Sequence, residues 1–186
     1  MRLFVALDIN EDIRERVERF IDEVRQLAPD ARWIPPESLH VTLKFIGEAK
    51  PQKRELIEQA LAACSVTGAL QLSVRGCGFF PDERRPRLFW AGIEPVVPLA
   101  KLARTVDDSL APLGIPREDH PFHPHLTLAR AKRNTPASGF KRLQEKLAVM
   151  QSHGFGTMTA HEFFLFESKI SRKGSRYTKI ASFALK

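Results

Sequence analysis

Two short stretches of the chain repeat one pattern, a histidine followed two positions later by a threonine. They are HVTL, which begins at His40, and HLTL, which begins at His125. Side chains alternate between the two faces of a β-strand, and residues two apart share a face at a spacing of about 6.6 Å. If both stretches are strands, each presents an imidazole and a hydroxyl, from Thr42 or Thr127, on a polar face that is opposite an apolar one.

Two imidazoles and two hydroxyls that meet in one groove are suited to attack on a phosphorus atom. An imidazole titrates near neutral pH, so one ring can take a proton while the other supplies one. The hydroxyls can donate hydrogen bonds to the non-bridging phosphate oxygens, where charge collects in the transition state. Such a site requires no metal, and we expect no cofactor. Because the motifs are alike, the residues alone leave open which histidine is the acid.

A cluster of histidines in DHPFHPH allows a different interpretation of the second motif. His120 and His123 lie close to His125 in the sequence, and three nearby histidines can bind zinc. A zinc site would leave the motif at His40 unexplained, so we favour a loop role for His123.

The two motifs belong to a longer internal repeat with a constant offset of 85 residues. The same offset aligns RLFVALDI, from Arg2, with RLFWAGIE, from Arg87, and it also aligns an aromatic segment in each half. One shift that aligns three separate segments indicates two related halves. We place them at about residues 1–85 and 86–170, followed by a closing C-terminal strand, YTKIASFAL.

The hydrophobic pattern of each half alternates strands with single amphipathic helices. The predicted strands cover 2–9, 39–46, 69–78, 87–93, 125–130, 158–167 and 177–185, and the predicted helices cover 11–28, 51–63, 98–113 and 138–150. We therefore predict an α+β fold in a single domain, 1–186, with two pseudo-symmetric lobes. Each lobe is expected to be a mainly antiparallel sheet with helices on its outer face, and the active-site groove is expected between the lobes.

The charge balance favours a polyanionic partner. Lys and Arg number 29 against 22 Asp and Glu, which gives a formal net charge of +7. Positive charge attracts nucleic acid through steering and counterion release, although a soluble surface can carry such an excess without that partner. No stretch approaches the roughly 18 apolar residues of a membrane span, and the N-terminus lacks a signal-peptide pattern. We expect a cytoplasmic protein without membrane association, and no obligatory protein partner is evident.

The paired motifs in two similar halves resemble the two-histidine (2H) phosphoesterase superfamily. LHVTLKFIGE, FHPHLTLAR and the opening RLFVALDI are similar to the bacterial and archaeal RNA 2′,3′-cyclic phosphodiesterases, also called 2′-5′ RNA ligases. The resemblance implies metal-independent opening of a 2′,3′-cyclic phosphate, on an RNA end or a nucleotide, to a 2′-phosphate. It also implies that His40 is the proton donor and His125 the proton acceptor, and that Thr42 and Thr127 bind the phosphate.

Two alternatives to hydrolysis remain open. The same acid and base also serve the reverse reaction, an ATP-independent joining of RNA ends through a 2′-5′ bond. A non-catalytic RNA- or nucleotide-binding module would use only the positive charge, and the presence of both histidines and both threonines argues against it.

Three residues near the motifs are weaker candidates for substrate binding. Arg130 has the fork geometry that suits a phosphate, but strict alternation places it on the face away from Thr127. By the same alternation Lys44 shares the polar face with His40. Phe45 could stack on a base, yet alternation places it in the core, which we favour.

A basic stretch near the C-terminus, SKISRKGSRYTK, is a further candidate for contact with RNA. Tyr177 would supply an aromatic platform for a base, and the surrounding cations would follow the backbone. These cations are Lys169, Arg172, Lys173, Arg176 and Lys179. The alternative is a charged hairpin turn between the last two strands.

Overall fold

The fold was described from a computed structural model of the 186-residue chain. The described residues are 1–64, 68–150, 152–171 and 174–185. The strands are β1 (Arg2–Asp8), β2 (Ala31–Trp33), β3 (His40–Glu48), β4 (Leu70–Phe80), β5 (Leu88–Ile93), β6 (His125–Ala131), β7 (Gly154–Ala160), β8 (Glu162–Ser171) and β9 (Gly174–Ala184). The α-helices are α1 (Glu11–Val24), α2 (Lys53–Ala62), α3 (Val97–Leu110) and α4 (Lys141–Val149).

The strands form one hydrogen-bonded path in the order β7-β4-β5-β6-β3-β1-β8-β9, and β2 pairs with β6. Every pairing in this path is antiparallel. The predicted α+β class with a mainly antiparallel sheet is therefore confirmed. The two-lobed arrangement and the repeat boundaries stay predictions.

The strand order does not follow the order of the two sequence halves. The first-half strand β4 pairs with β5 and β7, whereas the second-half strand β8 and the closing C-terminal strand β9 extend the sheet from β1. The central pair, β3 and β6, carries the two motifs. On either side of this pair the order is equivalent, so each half of the chain completes the sheet of the other half.

The predicted strand over 158–167 is wrong, because it is two strands separated by His161. β7 pairs with β4, and β8 pairs with β1. β7 and β8 are therefore six positions apart in the strand order. In a flat sheet that separation would be roughly 29 Å, at about 4.8 Å per strand. One connecting residue spans only about 7 Å. The sheet is therefore strongly curved.

The main core lies between one face of the sheet and the helices. α1 is typical of its outer layer: the Asn10 side chain caps it by accepting a hydrogen bond from the Ile13 amide at 3.0 Å, and its apolar stripe is buried. On the opposite face of β1 and β8 lies a second, smaller apolar cluster. It consists of Phe4, Ala6, Phe164 and Phe166, with Tyr177 packed against it. None of the helices in the described ranges has the length and apolar content needed to cross a membrane.

Candidate active site

The central strand pair brings the two motifs together. Val41 of β3 pairs with Leu126 of β6, and both are completely buried. The antiparallel register then places His40 opposite Thr127 and Thr42 opposite His125. Opposed residues of neighbouring strands share a face. All four motif side chains therefore lie on the face of the sheet opposite the main core.

Both histidines are oriented by the same backbone contact. Nδ1 of His40 donates a hydrogen bond to the Ser38 carbonyl at 2.7 Å, and Nδ1 of His125 donates one to the His123 carbonyl at 2.7 Å. A carbonyl oxygen can only accept, so each neutral ring carries its proton on Nδ1. Nε2 is left on both rings as the nitrogen that can exchange a proton with a substrate.

The protein environment disfavours the charged form of both imidazoles. Burial lowers the pKa of His40 to about 4, and the positive charge of Arg130 acts in the same direction, while Asp8 opposes both. Burial also lowers the pKa of His125, and the nearby charges of His123 and Arg130 contribute. Both rings of the free protein are therefore neutral at pH 7 and able to accept a proton.

A bulge in β3 determines which of its side chains reach this face. The register with β1 shifts by one residue at Leu43, between Thr42 and Lys44. Because of this extra residue, Lys44 turns to the core side, where it is 2% exposed, and Phe45 is 58% exposed. The alternation-based predictions for both residues are wrong, since strict alternation does not hold across a bulge.

β6 contains a bulge at the equivalent position. Its register with β5 shifts by one residue at Leu128, so Ala129 is buried and Arg130 returns to the face of Thr127. The predicted orientation of Arg130 away from that face is wrong for the same reason. Arg130 is the repeat equivalent of Phe45, so this pair of positions supplies a cation on one side and an aromatic ring on the other.

Lys44 makes an internal ion pair, and its role in substrate binding stays a prediction. Its Nζ lies 2.6 Å from Asp107 of α3 and 3.1 Å from Glu118, and it donates a hydrogen bond to the Pro116 carbonyl at 2.5 Å. These contacts join β3 to α3 and to the segment after it.

A network behind His40 was missed by the sequence patterns. Asp8 pairs with His40 in the β1–β3 register, and its carboxylate accepts a hydrogen bond from Arg14 at 2.9 Å and another from Lys179. Arg14 also donates to the carbonyl of Pro36, in the turn that contains Ser38. The network therefore supports the segment that orients His40. The available signals were an acidic residue inside an apolar strand and an arginine in the first turns of the next helix.

Burial acts to raise the pKa of Asp8, but Lys179, the backbone amide of Ile9 and Arg14 together lower it below its ordinary value. Asp8 consequently remains an anion beside His40. By the offset of 85, its counterpart in the second half is Ile93, which has no charge.

Aromatic rings surround both imidazoles. The His40 ring lies 4.7 Å from Phe4 and 5.1 Å from Tyr177, and the His125 ring lies 5.1 Å from Phe80. Trp90 packs beside Phe80 so tightly over Gly78 that a Cβ there would lie 2.3 Å from the indole. Glycine is therefore required at this position of β4.

The basic stretch is only partly within the described residues. The Tyr177 ring lies beside that of His40. Burial lowers the pKa of Arg130, and Tyr177 lies close enough to oppose that shift. Lys179 pairs with Asp8 and sits 4.1 Å above the Phe164 ring. Arg172 and Lys173 lie outside the described residues. Within the described part of the chain, no group of three or more His, Cys, Asp or Glu side chains could hold a metal ion.

Two strands that present paired His-x-Thr motifs on one face of a curved antiparallel sheet define the two-histidine class of phosphoesterases. The family model described as 2′-5′ RNA ligase superfamily matches residues 13–168. The chain belongs to this superfamily, which confirms the resemblance noted in the sequence.

Individual relatives match over nearly the whole chain. The RNA 2′,3′-cyclic phosphodiesterase of Archaeoglobus fulgidus is 34% identical over 183 residues, which cover 98% of this chain and 99% of the relative. That of Methanothermobacter thermautotrophicus is 31% identical over 189 residues, with 100% and 99% covered. The crystal structure of E. coli LigT complexed with 3′-AMP superimposes with a TM-score of 0.80 at 26% identity, and covers 99% of this chain and 97% of LigT.

Proposed function

We propose that the protein hydrolyses the 2′,3′-cyclic phosphate at an RNA end to a 2′-phosphomonoester by metal-independent acid–base catalysis. The observation that carries this proposal is the shared face of β3 and β6, where two imidazoles with available Nε2 atoms adjoin two threonine hydroxyls. The relatives named RNA 2′,3′-cyclic phosphodiesterase support the reaction, and LigT with 3′-AMP supports a nucleotide phosphate as the ligand.

In the proposed reaction, a water oxygen attacks phosphorus while Nε2 of His125 takes a proton from that water molecule. The bond between phosphorus and the 3′ oxygen breaks, and protonated Nε2 of His40 gives its proton to that oxygen. The products are a 2′-phosphate and a 3′-hydroxyl. Thr42 and Thr127 donate hydrogen bonds to the non-bridging oxygens, and Arg130 compensates the charge that develops on them.

The assignment of acid and base follows the family resemblance, and the surroundings of the two rings differ in charge. Asp8 raises the pKa of His40, whereas the equivalent position near His125 is the uncharged Ile93. A bound phosphate adds a negative charge beside both rings, which raises the pKa of each. Burial still holds the pKa of His40 at about 4 in the free protein, so its role as proton donor follows the resemblance and requires the bound phosphate to raise that pKa.

The test is hydrolysis of a 2′,3′-cyclic nucleotide followed by proton-coupled phosphorus NMR, which distinguishes 2′- from 3′-phosphate products. His40→Ala and His125→Ala should each lower turnover by about 10²–10⁴-fold, because each removes one proton-transfer group. Activity should persist in EDTA. Circular dichroism of both variants controls for folding.

Near wild-type turnover in either histidine variant would contradict the proposal, and so would a 3′-phosphate product or inhibition by EDTA. Adding an RNA with a free 5′-hydroxyl to the same assay tests the reverse reaction. An ATP-independent joined product would then show that the site also runs towards 2′-5′ ligation.

A further inference from the structure

A cleft leads away from the motif face on the side of β3. Its volume is about 770 Å³, and Thr42 and His125 line one end of it. We call it the α3 cleft and define it by Phe45, Val97, Ala100, Lys101, Arg104 and Phe122. Sites for whole small ligands occupy roughly 300–1,000 Å³. The α3 cleft is therefore large enough for more than the phosphate that the histidines would act on.

The apolar lining of the cleft is unusually exposed. Phe45 is 58% exposed and Val97 is 81% exposed, and both belong to the small set of large hydrophobic side chains exposed in the described ranges. Phe45 is available only because of the bulge at Leu43, which turns it out of the core. An exposed aromatic ring beside a phosphate site is the usual platform for stacking of a nucleic-acid base.

The charged lining of the cleft comes from one stripe of α3. Ala100, Lys101 and Arg104 follow Val97 at spacings that keep all four on one helix face, opposite the buried face of the helix. Lys101 and Arg104 are exposed, and neither takes part in an ion pair among the described residues. Two adjacent cations that lack an internal partner complement a backbone of phosphates.

The acidic residues at the cleft cancel only part of this charge. Asp107 and Glu118 both face it, but Lys44 lies between them in its internal ion pair. His120 also lines the cleft, and its Nε2 lies 3.5 Å from Asp119. Lys101 and Arg104 outweigh the one carboxylate that Lys44 does not neutralise, so the Lys, Arg, Asp and Glu residues of the lining give a formal net charge of +1.

We propose that the α3 cleft binds the single-stranded RNA on the 5′ side of the terminal cyclic-phosphate nucleotide. Phe45 stacks on a base, and Lys101 and Arg104 contact backbone phosphates. The inference rests on the proposed function, and it adds that an oligoribonucleotide, not a mononucleotide, is the preferred substrate. The repeat equivalent of Phe45 on the other motif strand is Arg130. In this proposal Arg130 faces the reacting phosphate, and Phe45 faces the RNA chain that leads to it.

The experiment compares a six-nucleotide RNA that ends in a 2′,3′-cyclic phosphate with a 2′,3′-cyclic mononucleotide. For the wild type, kcat/KM for the RNA should exceed that for the mononucleotide by at least about tenfold. Lys101→Ala/Arg104→Ala should lower the RNA value by about tenfold at low salt and weaken its dependence on log salt by about 0.7 for each phosphate that is no longer neutralised. Phe45→Ala should produce a similar decrease, because the base can no longer stack. Lys101→Ala/Arg104→Ala should leave the mononucleotide value within about twofold of wild type.

Arg16→Ala/Arg19→Ala is the matched control, because both arginines are exposed on α1, take part in no ion pair among the described residues and do not line the α3 cleft. It should leave both substrates unchanged. The inference would be overturned if this control lowered kcat/KM for the RNA as much as Lys101→Ala/Arg104→Ala does. The decrease would then be an effect of overall charge. Equal kcat/KM for the two substrates in the wild type would also overturn it.

Binding separates this inference from the proposed reaction. Fluorescence anisotropy with the same RNA ending in a 2′-phosphate gives a Kd that does not depend on turnover. A Kd about tenfold higher in the cleft variants supports the inference, whether or not the protein hydrolyses a cyclic phosphate. Absence of hydrolysis would contradict only the proposed function. Unchanged binding in both cleft variants would overturn the inference even if hydrolysis is observed.

Discussion

At the scale of single residues, the site uses one device twice. Each motif histidine donates Nδ1–H to the carbonyl two residues before it, so the backbone that leads into the strand also sets the tautomer. The differences between the halves lie in what surrounds the rings. Asp8 adjoins His40 alone, whereas Arg130 acts on both histidines. Near-identical motifs can therefore hold different proton affinities, as an acid and a base require.

The lowered pKa values predict separate pH profiles for the free protein and the complex. kcat/KM reports the ionisation of groups in the free protein. The maximum of its bell-shaped pH profile should therefore lie below pH 6.5, where one ring is protonated and the other is not. A bound phosphate raises both pKa values, so the bell for kcat should lie at higher pH. Steady-state rates with a cyclic nucleotide between pH 4 and 9 measure both curves. Superimposable curves centred above pH 7 would contradict this expectation.

At the scale of secondary-structure elements, the bulges of β3 and β6 are the features that distinguish this site from a simple pair of strands. They occur at equivalent positions, Leu43 and Leu128, directly after the motif threonines. Each keeps a third side chain on the motif face, Phe45 in one strand and Arg130 in the other. The residue between turns inward, which places Lys44 in the ion pair with α3.

Replacement of Lys44 tests how much this inward turn contributes to stability. Lys44→Met should lower the free energy of unfolding by roughly 2–4 kcal/mol, because it leaves Asp107 and the partly exposed Glu118 without their cation. Arg25→Met, which breaks an exposed pair with Asp22, should change it by less than about 1 kcal/mol. Urea denaturation at pH 7 measures both. Equal decreases in stability would show that Lys44 has no special role.

The sequence predicts the elements of the site better than their orientation. The His-x-Thr spacing and the shared offset predict the motif strands and their common face, since both follow from the two-residue period of a strand. The predicted orientations of Lys44, Phe45 and Arg130 were wrong, because a bulge breaks that period and leaves no signal in the apolar pattern. The break at His161 failed likewise, because the apolar pattern continues from β7 into β8, and only their different pairing partners separate them.

At the scale of the whole molecule, the two sequence halves are interleaved. β4 of the first half is hydrogen-bonded only to second-half strands, and β1 pairs on one side with β8. Each half contains a pairing between its own strands, β1 with β3 and β5 with β6, but the other neighbours of these strands lie in the opposite half. The proposed repeat of 1–85 and 86–170 would thus describe the ancestry of the sequence and not two independently stable units.

Expression of the halves as separate fragments tests this interleaving. Residues 1–85 alone should show no cooperative thermal transition, because β1 would lose β8 and β4 would lose both of its partners. The complete chain should unfold in one transition. Circular dichroism and differential scanning calorimetry measure these properties. A fragment that unfolds cooperatively at a temperature near that of the full chain would show that each half is a self-sufficient unit.

His161 has a consequence for how far the two outer parts of the sheet can move apart. It is the only residue between β7, at one border of the sheet, and β8, near the other. The end of β7 and the start of β8 are thus joined covalently, and these two strand ends cannot move apart by more than about 7 Å unless one of the strands detaches. Their separation is accordingly a property of the main chain, outside the influence of any side chain on the motif face.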